Sequence, residues 1–167
     1  MEDTTEEVFA LLSQWLYTQR LNGELGGKGK AGLNLPRLWI LAEKLLMPRL
    51  QNLVIGLIES FRFKHSEICS SMFQYVWDNT CANSPLRRLY VHQCVWNLTK
   101  ESYHSVLDHF PKQMLADICF QFRENANNQT KFSRNMVDFH VKEEEKSLRP
   151  LFEHSRSIPS KMFWAMT

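Results

Sequence analysis

Between Pro36 and Phe61 the chain carries two helical apolar stripes that meet at a proline, and few folds other than a helical hairpin accommodate that pattern. Leu38, Leu41, Ala42, Leu45 and Leu46 recur at the spacing of one helix face. Pro36 suits the first turn of that helix, where a missing N–H costs nothing. Pro48 interrupts the pattern and can open a second helix, whose stripe (Leu50, Leu53, Val54, Leu57, Ile58 and Phe61) is the cleanest in the chain. Joined at Met47-Pro48, the two helices fold back antiparallel with their stripes facing. The pattern predicts that this hairpin is the firmest part of the core, with Leu53 near its centre.

Helical patterns flank it on both sides. Thr4 and Glu7 fit a capping box for a first helix, which continues through Val8, Leu11, Leu12, Trp15 and Leu16. Phe9 widens its apolar arc to about 160°, broader than a surface helix needs, so this helix wants neighbours on two sides. Residues 21–32 hold five of the six glycines and read as a flexible linker. They lack a phosphate-binding loop's spacing, since Asn22 or Glu24 stands where the first glycine belongs. Ser66 suits the cap of a helix through Ile68, Met72, Tyr75 and Val76 that frays near Asn79. Ser84-Pro85 reads as cap and first turn of the next, "SPLRRLYVHQCVWNL", whose apolar residues form no single stripe and predict packing on several sides. Phe110-Pro111 opens a last helix through Met114, Leu115, Ile118, Cys119 and Phe122, which "NANNQT" ends. From Asn125 onward periodicity is lost and a loosely ordered tail is expected. No segment has a strand's alternation, so the fold class is all-α.

Twenty basic residues stand against 18 acidic ones, too even a balance to imply a nucleic-acid or anionic-membrane partner. The acidic start "MEDTTEE" is unlike a secretory or transit peptide, and the densest apolar run, Leu53 to Ile58, is too short to span a bilayer. The expected compartment is intracellular, cytoplasm or nucleus, with Cys69, Cys81, Cys94 and Cys119 as reduced thiols. Two sequons, at Asn97 and Asn128, are then silent. Six scattered histidines give no metal-ligand spacing; His92 and Cys94, two apart, point about 200° from each other on a helix. No nucleophile–base pattern or paired carboxylate stands out, so no enzyme, cofactor or small-molecule substrate is expected. Arg87-Arg88 before Tyr90 is the one basic–aromatic cluster, and it leaves a helical nucleic-acid binder open as an alternative. Four of the five tryptophans read as core, and Trp164 in "KMFWAMT" reads as either tucked in or sticky.

In order along the chain, these segments resemble the second half of a BTB/POZ domain of the type found in large fungal families. Trp15-Leu16-Tyr17-Thr18 stands at the family's "YTG"-like turn, with Gln19 where glycine is common. In "ILAEKLLMPRLQN", residues Leu41 to Lys44, Pro48 and Leu50 to Asn52 match the family hairpin, and "SPLRRLYVHQCVW" and "FPKQMLADI" resemble helices that follow the BTB core. The resemblance covers roughly residues 5–122. The family's N-terminal strands, dimerisation helix and cullin-contacting segment have no counterpart here, which implies an incomplete or diverged member.

The resulting expectation is a helical remnant of an α+β BTB/POZ domain over residues 1–64, a helical extension over 65–125 and a tail over 126–167. The resemblance implies a protein-interaction module with an adaptor or assembly role. It also implies that some complete relatives link substrates to cullin-RING ubiquitin ligases, whereas homodimerisation is not expected here without the dimerisation helix. A fragment without retained activity is the other alternative. Expected contact residues are Phe9, Leu12 and Leu16 on the first helix, and Met162, Phe163 and Trp164 at the end.

Overall fold

The computed structural model describes residues 5–21, 27–128 and 135–143. Its α-helices are α1 (Glu6–Thr18), α2 (Gly27–Lys44), α3 (Pro48–His65), α4 (Phe73–Asn79), α5 (Pro85–Asn97), α6 (Lys100–Ser105) and α7 (Lys112–Asn128). Short 3-10 turns cover Ser70–Met72, Leu107–His109 and Met136–Phe139. There is no strand among the described residues, and the class is all-α. Buried apolar residues from Val8 to Phe139 form one cluster.

The α2–α3 hairpin is the centre of the molecule. Leu35, Leu38, Trp39, Ile40, Leu41 and Ala42 are all buried, so α2 is enclosed nearly all round. Its end is built as a Schellman stop: the N–H of Met47 donates to the Ala42 carbonyl at 2.9 Å and that of Leu46 to Glu43 at 3.0 Å. Leu46 holds the left-handed conformation this motif needs, with φ 54°, and is 87% exposed. Leu45 is also exposed. Neither belongs to the helix face the spacing suggests, because the chain has already left the helix at Lys44. Pro48 then opens α3 as expected.

The α3 face is rotated from the expected stripe. Leu50, Gln51, Val54, Ile55 and Ile58 are buried, whereas Leu53 is 37% exposed. Gln51 and Ile55 point inward because α3 meets α2 on one flank and the 136–139 turn on another.

Further expectations are corrected. The glycine-rich stretch is helical from Gly27, so Pro36 lies inside α2 and not in its first turn. Packing overrides propensity there: Ala31 is buried, and a Cβ on Gly32 would lie 3.1 Å from Cys69 Sγ and 3.4 Å from Phe61. Ser66 closes α3 in the left-handed region (φ 51°), where it was expected to start the next helix; the 3-10 turn Ser70–Met72 leads into α4 instead. The cap of α1 is Thr5, whose Oγ1 accepts from the Val8 N–H at 3.4 Å; Thr4 lies outside the described residues.

Helix α5 is enclosed on several sides, as its scattered apolar residues suggest, with Leu86, Leu89, Tyr90, Val91 and Cys94 buried. It packs on α7 most extensively, and on α4 and the 136–139 turn. Phe73 anchors this region, 5.4 Å from Tyr90 and 5.2 Å from Phe110 between ring centroids. On α7, Met114 and Ile118 are buried while Cys119 and Phe122 are exposed. Part of the expected tail is packed: Phe139 is 7% exposed, 5.2 Å from the His92 ring.

Candidate protein-interaction surface

Helix α1 divides its apolar residues between two faces. Val8, Leu12 and Trp15 enter the core, where α1 packs on α2. Phe9 and Leu16, seven residues and so two turns apart, share the outer face and are 58% and 49% exposed. Ser13 lies between them, and Tyr17, 91% exposed, stands beside Leu16. The structure thus separates the expected contact residues. Phe9 and Leu16 stay together on the surface, while Leu12, only 5% exposed, faces α2 and is core. Met162, Phe163 and Trp164 lie outside the described residues.

Each end of α1 carries a distinct polar contact. At the start, Glu7 pairs with Lys30 of α2 at 3.4 Å. Its carboxyl is held below the usual value, first by a backbone hydrogen bond and then by Lys30. At the end, Gln19 takes the left-handed conformation (φ 54°), with its N–H donating to the Trp15 carbonyl at 2.8 Å. This is the position at which the resemblance puts glycine.

The Arg87-Arg88 pair is split, with Arg88 exposed and Arg87 buried. Arg87 is 9% exposed and donates to the Thr80 hydroxyl at 2.8 Å, the Trp77 carbonyl at 2.5 Å and the Thr80 carbonyl. Its guanidinium lies 5.3 Å from the Trp77 ring centroid. A cation at the C-terminal end of α4 meets carbonyls that no helical N–H satisfies. Arg87 is therefore spent on structure, and a phosphate cannot reach it as a groove-lining residue must be reached.

Among the other chemical groups, Cys94 is buried and burial pushes its thiol up to about 12, so it packs as a small hydrophobe and not as a nucleophile. No cluster of three potential metal ligands occurs among the described residues. Ser70 Oγ lies 2.9 Å from His109 Nδ1, a pair sequence reasoning missed because the two are 39 residues apart with no shared motif. Among the described residues, no carboxylate is hydrogen-bonded to the other imidazole nitrogen. Ser70, but not His109, lines a cavity of about 370 Å³ on whose wall Arg62 also lies. Arg62 is already engaged, bonded to Glu59 at 2.6 Å and to Asn97 at 3.0 Å.

Trp15, Trp39 and Trp77 are buried, Trp96 is 37% exposed, and Trp164 is outside the described residues. No helix among the described residues is long and apolar enough to cross a membrane. Compared with family models, curated proteins and solved structures, the chain matches none of them.

Proposed function

We propose that this chain is a helical protein-interaction module whose contact surface is the outer face of α1, centred on Phe9 and Leu16. One observation carries the reading: a helix packed on α2 buries Val8, Leu12 and Trp15 yet holds Phe9 and Leu16 in solvent on a single face. Apolar side chains held in solvent on one helix face offer a partner surface to cover. The BTB/POZ resemblance supports the same class. Its hairpin segment forms two antiparallel helices that turn at Met47-Pro48, and Gln19 stands left-handed where the family pattern has glycine. An adaptor or assembly role goes with that class.

Affinity capture from native cell extract, comparing the intact chain with Phe9→Ser/Leu16→Ser, tests the proposal. Both positions are exposed, so the variant should keep the parent's circular dichroism and melting temperature. Loss of specific proteins from a folded variant supports the α1 surface. Recovery of the same set by both overturns it.

A further inference from the structure

The segment Asn135–Glu143 lies across α3 and α5 in the manner of a bound peptide. Phe139 is its anchor, buried beside His92 of α5, while Met136 and Val141 pack at the edge of the core. His140 is extended. Two residues past the anchor, the side-chain amide of Asn52 reads the main chain of Val141: Nδ2 donates to its carbonyl at 3.0 Å and Oδ1 accepts from its N–H at 2.7 Å. Two residues further, Glu143 meets Asn52 Nδ2 at 3.0 Å and Arg49 Nε at 3.3 Å. The pattern is an aromatic pocket, a main-chain clasp and a carboxylate clamp at a fixed spacing. Past the 3-10 turn that ends at Phe139, the division of labour is that of peptide recognition, main-chain bonds holding the backbone and pockets selecting side chains.

We propose that this surface of α3 and α5 is a peptide-recognition groove, and that the partner it fits is a peptide that makes one 3-10 turn ending at a phenylalanine and carries, four residues on, a glutamate. The chain's own segment is then the intramolecular competitor. Tethering gives it a high effective concentration, so a partner peptide gains access when the resident anchor is weakened or when the partner binds a second surface as well. The outer clamp suits exchange, since Arg49 and Glu143 are 77% and 43% exposed at the side chain and salt screens such a pair. This proposal does not rest on the α1 surface, which lies on another helix.

Fluorescence anisotropy with a labelled peptide of the sequence Asn135–Glu143 tests it on the full chain. Phe139→Ala, which empties the pocket, should bind the peptide saturably and more tightly than the wild type does. Adding Asn52→Ala should weaken binding roughly tenfold, the effect of losing a main-chain clasp. Phe9→Ser/Leu16→Ser should not affect it, which separates this site from the α1 face. Should Phe139→Ala fail to fold, hydrogen exchange at the Val141 amide of the wild type decides, since excess free peptide should accelerate it. Absence of binding to a folded Phe139→Ala chain, binding indifferent to Asn52→Ala, or, in the second arm, unchanged Val141 exchange overturns the proposal.

Discussion

Asn52 and Val141 are 89 residues apart and exchange two hydrogen bonds, the side-chain amide of one with both main-chain groups of the other. A side chain that satisfies a donor and an acceptor together does for this segment what a neighbouring strand would do. Asn52→Ala leaves both groups to whatever water reaches a half-buried site, at a cost of about 1–2 kcal/mol. Hydrogen exchange should show the Val141 amide losing protection while the amides of Val54 and Ile55 keep theirs. Equal loss at all three would mean that the clasp holds the whole core.

Ile55 and Leu53 separate the observed hairpin face from the one that spacing alone suggests. Ile55 is fully buried and Leu53 is 37% exposed. Ile55→Ala should cost about 2–5 kcal/mol, and Leu53→Ala about 1 kcal/mol. Urea unfolding with a common slope reads both.

Leu46 occupies the left-handed position of the Schellman stop with its side chain in solvent. Leu46→Gly removes the Cβ penalty and should stabilise the chain by about 1 kcal/mol. Gln19→Gly should gain less, because Gln19 Nε2 donates to the Trp15 carbonyl at 3.3 Å and glycine cannot. Melting temperatures of the two variants check the order.

Arg87→Ala should destabilise by about 2–3 kcal/mol, since it strips a charged donor from carbonyls near the end of α4. Arg87→Lys should recover only part of this, for an ammonium cannot reproduce the planar fork. Because the residue is buried, a salt titration of stability should show little screening of its contribution.

The parts of the fold that sequence showed are those in which a local rule and the packing agree. Pro48 stands at a helix start and Ser84-Pro85 at another, and the mixed apolar residues of α5 reflect its enclosure. The misread parts are those in which tertiary contact overrules a local preference. Gly32 lies in a helix where Cys69 and Phe61 close on it, and Ser66 ends α3 although its hydroxyl suits the cap of the next helix. Leu12 and Leu16 look equivalent at helical spacing, yet the line of contact with α2 passes between them. The Arg87 contacts and the Asn52–Val141 clasp left no sequence signal, because each joins a side chain to a distant main-chain group of any residue type.

Site-specific photo-crosslinking from position 13 tests the interaction claim most directly. Ser13 lies between Phe9 and Leu16 on the outer face of α1, and Arg88, exposed on α5, serves as the remote control position. In native cell extract, a probe at position 13 should form adducts of discrete mass that Phe9→Ser/Leu16→Ser abolishes, while the probe at position 88 forms none of them. The same adducts from both positions, or their survival in a folded Phe9→Ser/Leu16→Ser chain, would contradict an interaction surface on α1.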